Sequence, residues 1–140
     1  MNARAVDREQ QAFEAVPGSA RLARRFVSET LRLNGATDDL ISDYCLVVSE
    51  LATNIIEHGD GSSLVIFLDV ADPAWWELEV AGGASRPGSQ LLRPETWTVA
   101  DSDDASGRGL GIVRHLMDDI ATDTSGGRVS IRCRRRREAW

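Results

Sequence analysis

Residues 37–59 read Thr37-Asp38-Asp39-Leu40-Ile41-Ser42-Asp43-Tyr44-Cys45-Leu46-Val47-Val48-Ser49-Glu50-Leu51-Ala52-Thr53-Asn54-Ile55-Ile56-Glu57-His58-Gly59, and their periodicity decides the fold. Leu40, Tyr44, Val47, Val48, Leu51 and Ile55 recur every three or four residues, the spacing that puts them on one stripe of a helix. Thr37 is suited to cap that helix, and Asp38 and Asp39 stand where carboxylates favour the positive end of the helix dipole. His58-Gly59 ends it. The pattern predicts a helix over about 38–58 that packs Val47, Leu51 and Ile55 against a sheet. Beside the apolar stripe, Glu50, Asn54 and His58 follow one another at every fourth position and form a polar row.

Working outward, Pro17-Gly18-Ser19 precedes a second helical stripe of Leu22, Phe26, Val27, Thr30 and Leu31. This predicts a helix over about 19–33 that stops at Asn34-Gly35, with a short edge strand at Gln11 to Val16 ahead of it. Beyond the turn Gly59-Asp60-Gly61, the runs Leu64 to Val70 and Trp75 to Val80 flank Ala71-Asp72-Pro73 and read as an antiparallel hairpin. Residues 82–106 keep no sustained period, as a functional loop would. Order resumes at Gly107-Arg108-Gly109-Leu110-Gly111, which opens a short helix through Ile112, Val113, Leu116 and Met117. Two strands follow, about Asp119 to Thr124 and Arg128 to Arg134, joined by Gly126-Gly127. Val129, Ile131 and Cys133 share one face of the last strand, and Ser130, Arg132 and Arg134 the other. The expected architecture is an α+β two-layer sandwich, a mixed and mostly antiparallel sheet of four or five strands backed by helices on one face. Residues 1–140 form one domain whose core covers about 10–134.

Composition narrows the function classes. A chain of 140 residues, 42% hydrophobic and 27% charged, suffices for one compact core. No apolar run reaches membrane-spanning length, and the first ten residues are polar and charged, so the chain reads as cytoplasmic. Cys45 and Cys133 lie far apart in apolar-patterned segments and lack the spacing of a disulfide framework or a metal site; both read as buried thiols. A net charge of −6 argues against nucleic-acid binding. The one dense basic run, Arg134 to Arg137, reads as a solvated tail. Trp75, Trp76, Trp97 and Trp140 suit core, lid or partner contacts, and Asp101, Asp103 and Asp104 a solvated lid.

The polar row gains meaning from the glycine cluster downstream. A GxGxG run at the start of a helix offers backbone N–H groups and a dipole end to a phosphate chain. An amide oxygen such as that of Asn54 is a hard ligand suited to Mg²⁺, and Glu50, one turn away, is placed to take a proton from a hydroxyl attacking a terminal phosphate.

Three tracts carry a family resemblance. Ser49 to Gly59, SELATNIIEHG, resembles the N box of the bacterial anti-sigma-factor serine kinases and stress-switch kinases, which share the GHKL or histidine-kinase-like ATPase fold. Gly107 to Ile112, GRGLGI, resembles their second glycine box, and Arg114 to Asp119 followed by the Gly126-Gly127 hairpin is similar to their C-terminal end. The resemblance implies Glu50 as general base, Asn54 as Mg²⁺ ligand, His58 at the rim of the nucleotide site, and residues 84–106 as an ATP lid. Gly83, Gly107, Arg108, Gly109, Leu110 and Gly111 would contact the nucleotide. ATP and Mg²⁺ are the implied cofactors. The implied partners are an anti-sigma antagonist protein or a sigma factor, with a homodimer as a further expectation and neither nucleic acid nor membrane bound directly.

The first glycine box departs from the family pattern. Where the family places an aspartate that accepts a hydrogen bond from the adenine amino group, this alignment puts Ala81, with Gly83 on the first glycine and Ser85 in place of the second. Losing a hydrogen bond to a charged acceptor costs about 1.5–3 kcal/mol, roughly tenfold to more than a hundredfold in affinity. Two readings follow. One is a protein serine kinase that uses Mg-ATP and phosphorylates or sequesters a regulatory partner. The other is a nucleotide-independent anti-sigma or antagonist-binding module.

Overall fold

The computed structural model describes residues 8–84 and 105–137, and side chains for all of these but Arg8, Ala84 and 105–108. In chain order the elements are β1 (Arg8–Phe13), α1 (Ser19–Leu33), α2 (Asp38–His58), β2 (Gly59–Asp69), β3 (Trp75–Ala84), α3 (Ala105–Leu116), β4 (Asp119–Ser125) and β5 (Arg128–Arg136). The five strands form one sheet in the order β1-β2-β3-β5-β4. Each of the four pairings is antiparallel, so the sheet is more uniform than the mixed one expected.

Local chemistry accounts for the boundaries. The Thr37 hydroxyl accepts the Leu40 N–H at 3.2 Å and Asp38 and Asp39 occupy the first turn, so α2 starts as its capping signal predicts. At its other end the chain passes straight into β2. A side chain at Gly59 would lie 2.4 Å from the Ile55 carbonyl oxygen and 2.7 Å from that of Gly83, and only glycine permits so abrupt a change from helix to strand. α1 closes with Gly35 at φ 85° and the Ala36 N–H on the Leu31 carbonyl, a Schellman-type stop. Gly126 and Gly127 both have positive φ, 59° and 76°, which a two-residue type I′ hairpin between β4 and β5 requires. Asp69 and Asp72 fold the β2–β3 turn by accepting the Ala71 and Ala74 N–H groups at 3.0 and 2.8 Å.

The core lies between α2 and one face of the sheet. Val47, Val48, Leu51 and Ile55 are buried against Leu64, Ile66 and Leu68 of β2, Leu78 and Val80 of β3, and Val129 and Ile131 of β5. α1 adds Ala23, Val27 and Leu31, and α3 adds Leu110 and Val113. Burying a side chain of this size contributes roughly 1.5–3 kcal/mol, so this seam holds the two layers together. The Tyr44 hydroxyl, deep in the same seam, donates to the Trp76 carbonyl at 2.8 Å, and burial raises its pKa.

The other sheet face has no helix over it among the described residues. Part of it is a ladder of opposite charges across strands: Glu77 lies 4.0 Å from both Arg132 and Arg134, and Arg134 lies 3.3 Å from Asp119. Trp75 sits between the guanidinium groups of Arg134 and Arg136 at 4.3 and 4.6 Å.

Three expectations are corrected. The first strand covers Arg8–Phe13 in place of 11–16, because its register follows β2, with Phe13 opposite Leu64. β2 and β3 are longer than their apolar cores, extending to Gly59 and to Ala84. The basic run 134–137 is no solvated tail: Arg134 to Arg136 end β5, Arg135 pairs with Asp43 of α2, and Arg137 stacks on Trp76 at 3.7 Å. The thiols are close to expectation, Cys133 buried with its pKa pushed up to about 12 by burial and Cys45 half-buried. Among the described residues no helix is long and apolar enough to cross a membrane, and no cluster of metal-ligating side chains occurs. The expected lid falls almost wholly on 85–104 and lies outside the described residues, as do Trp97, Trp140 and the aspartates 101, 103 and 104.

Candidate functional site

α2 is the spine of the site. Its apolar stripe is fixed against the sheet, so the polar row on its flank is fixed too, with Glu50 against α3. Glu50 and Asn54 stand one turn apart, and the Asn54 amide N–H donates back to the Glu50 carbonyl at 2.7 Å. Asn54 is 2% exposed, and its side-chain oxygen is buried with no hydrogen-bond partner among the described residues. An unsatisfied buried amide oxygen costs about 1–3 kcal/mol, so such atoms mark places where a ligand supplies what the protein does not. A hard cation such as Mg²⁺ is suited to that oxygen.

The Glu50 carboxyl group lies directly on Gly109 of α3. A side chain at 109 would begin 1.8 Å from the Glu50 Oε2 atom and 2.4 Å from its carboxyl carbon. Burial between the helices raises the Glu50 pKa, and the Glu57 carboxylate two turns on adds to the shift. Both effects disfavour the ionised form and make the carboxylate a stronger base, as a proton acceptor for a hydroxyl requires. Arg24 of α1 braces the adjoining position by donating to the Ser49 hydroxyl at 3.1 Å.

The glycine box is divided in a way its spacing does not reveal. α3 begins at Ala105, so the box lies within the helix and does not open it. Gly107 and Arg108 fall in the first turn, where N–H groups lack intrahelical acceptors and the dipole is positive. The N–H groups of Gly109 and Gly111 lie far enough along to be bonded within the helix. Gly109 contributes the absence of a side chain under Glu50, and Leu110, 4% exposed, packs into the core. His58, at the end of α2, is half exposed with its ring 3.8 Å from Glu57, two turns from Glu50. Gly83 lies at the far end of β3, and a side chain there would begin 2.1 Å from the Asp60 carboxylate, a neighbour the spacing gave no sign of.

Strand alternation corrects the first glycine box. Leu78 and Val80 face α2, so Gly82 does as well, and a side chain at 82 would begin 2.4 Å from the Ile55 Cγ2 atom. Ala81, between Val65 and Ser130 in the sheet, faces the opposite side. An acceptor that shares a pocket with Glu50 and Asn54 belongs at 82, not 81. Position 82 carries no carboxylate either, and Ile55 Cγ2 occupies the space a side chain there would enter. The Asn54 oxygen therefore suits a hard cation, while position 82 offers an apolar contact with Ile55 in place of a carboxylate.

The profile of the family described as Histidine kinase-like ATPase domain matches residues 13–134, nearly the whole described chain. The chain belongs to this family. Solved structures agree on the fold. The RsbU and RsbW domains of Rv1364c from Mycobacterium tuberculosis superpose with a TM-score of 0.66 at 19% identity, over 92% of this chain and 31% of that one. The chain thus spans about a third of that relative's length. A chain of the SiaB–SiaC complex from Pseudomonas aeruginosa superposes with a TM-score of 0.61 at 13% identity, over 91% of this chain and 89% of the other. No curated protein matches in sequence.

Proposed function

We propose that this protein is a bacterial regulatory serine kinase of the partner-switching type, which binds ATP-Mg and phosphorylates or sequesters an anti-sigma antagonist or a sigma factor. The observation that carries the reading is the buried, unpartnered oxygen of Asn54 one turn from a Glu50 carboxyl group seated on Gly109. The names of the structural neighbours, an RsbW domain beside an RsbU domain and a SiaB–SiaC complex, support regulation through protein partners.

Asn54 would ligate the metal, and the first turn of α3 would receive phosphate oxygens on its free N–H groups. Bound Mg-ATP supplies the phosphoryl group. Glu50 would take the proton from the partner's serine hydroxyl as that oxygen bonds to the terminal phosphorus and ADP leaves, and its raised pKa would strengthen it for that transfer.

Gly82 favours a second reading. With no side chain there and Ile55 packed on its α-carbon, base recognition is weakened, which suits a binding module that sequesters its partner without turning over nucleotide. Titration with Mg-ATP and Mg-ADP, followed by mass spectrometry of a serine-bearing antagonist incubated with ATP, tests both. Binding and phosphoserine that vanish in Glu50→Gln support the kinase. No binding at millimolar ATP, together with a stable complex with an antagonist or sigma factor, leaves the binding module.

A further inference from the structure

A groove of about 710 Å³ runs between the end of β1 and the first two turns of α1, and neither Glu50 nor Asn54 lines it. Its apolar lining includes Phe13, Val16 and Leu22. Val16 is 45% exposed and Leu22 50%, two of the few large apolar side chains on the described surface that are so exposed. Arg21 and Arg25 stand one helical turn apart on the α1 wall, with Glu14 among the residues opposite.

These arginines differ from those in the second half of β5. Arg132, Arg134 and Arg135 meet carboxylates, and Arg136 lies over an aromatic ring. Neither Arg21 nor Arg25 has a carboxylate partner among the described residues. α1, sequence SARLARRFVSETLRL, carries four arginines against one glutamate in a chain whose net charge is −6. An apolar strip bordered by two arginines with no carboxylate partner among the described residues, on a protein of net charge −6, has the complementarity of a selective docking surface.

We infer that this groove docks an acidic amphipathic helix of a partner protein, with apolar side chains on Val16 and Leu22 and carboxylates on Arg21 and Arg25. An added strand would use the backbone edge of β1 and leave Leu22 and Arg25 idle, whereas a helix laid in the groove uses both walls. The inference stands apart from the nucleotide site and needs no ATP.

The probe is a fluorescein-labelled helical peptide of about 16 residues, with leucines at i, i+3 and i+7 and glutamates on the flanks, compared with a counterpart whose glutamates are lysines. Fluorescence anisotropy should show the acidic peptide binding about tenfold or more tighter than the basic one, weakening as salt rises. Leu22→Asp should abolish binding with an unchanged thermal melt, since Leu22 is half exposed. The double variant Arg21→Glu, Arg25→Glu should reverse the preference toward the lysine peptide. The inference is overturned if neither peptide binds, if both bind equally, or if the preference survives charge reversal. It is also overturned if sedimentation finds a dimer that Leu22→Asp dissociates, for a second copy would then be the occupant.

Discussion

Replacing Gly109 with alanine would put a methyl group into space now held by the Glu50 carboxyl group. The new carbon would lie 1.8 Å from Oε2, 2.4 Å from Cδ and 3.1 Å from Cγ, so the end of the Glu50 side chain must swing away. That rearrangement costs about 0.5–1.5 kcal/mol if the displaced side chain is held off its rotamer. Against it, alanine is better than glycine inside a helix by about 0.8–1 kcal/mol, and Gly109 is inside α3 with no positive φ to protect. The two nearly cancel, and the melting temperature should move by no more than a few degrees. Glu50 itself should change character. Pushed toward solvent, it loses the burial that raises its pKa, and its carboxyl carbon should titrate closer to the ordinary carboxylate range by ¹³C NMR. Under the kinase reading, displacing the base should lower phosphoryl transfer by about 10²–10⁴-fold. A Glu50 that still titrates at its raised value in Gly109→Ala, or a stability loss well beyond about 2 kcal/mol, would refute the packing of Glu50 on Gly109.

Three other outcomes are expected. Since the folded state raises the Glu50 pKa, ionised Glu50 opposes folding above that pKa and the penalty fades as pH falls toward the unfolded value; Glu50→Gln should therefore raise the melting temperature at neutral pH, with the gain disappearing in acid. Asn54→Leu removes a buried unsatisfied oxygen, so melts should show stability kept or raised by about 1 kcal/mol while calorimetry shows Mg-nucleotide binding lost, whereas a large destabilisation would mean the oxygen has a partner. In an Ile55→Ala background, Gly82→Asp should tighten Mg-ATP binding by about tenfold or more and Ala81→Asp should not; the reverse order would restore position 81 as the acceptor site.

The fold was legible wherever a single period dominated. Thr37 with Asp38 and Asp39, the stripe from Leu40 to Ile55, and the paired glycines at 126–127 each carry their own local cause, and α1, α2 and the last hairpin follow them closely. Strand ends carry no such signal. β1 is set by its register with β2, and the charged arginines of β5 read as a tail because their partners, Asp43, Glu77 and Trp75, are distant in sequence. The candidate site was legible only as residue types on a helix face, since Glu50 and Asn54 are one turn apart by spacing alone. The one-residue displacement at the first glycine box was not, because only the pleat of β3 against α2 decides which of Ala81 and Gly82 faces the site.

Ile55 links stability to recognition at that point. It is the next residue after Asn54, so the helix that buries an unpartnered amide oxygen also packs an isoleucine against β3. With Gly82 bare, the Ile55 methyl lies against backbone and the side chain is 1% exposed. Burying each such carbon contributes about 0.8 kcal/mol, so position 82 is part of the seam between the layers. A carboxylate at 82 would need Ile55 to retreat, exchanging core packing for a hydrogen bond to the base. Under the proposed function the Asn54 end involves no such exchange, because its oxygen is already buried with no partner among the described residues and a cation there would relieve that cost. Nucleotide affinity in this chain should therefore depend more on metal and phosphate than on the base.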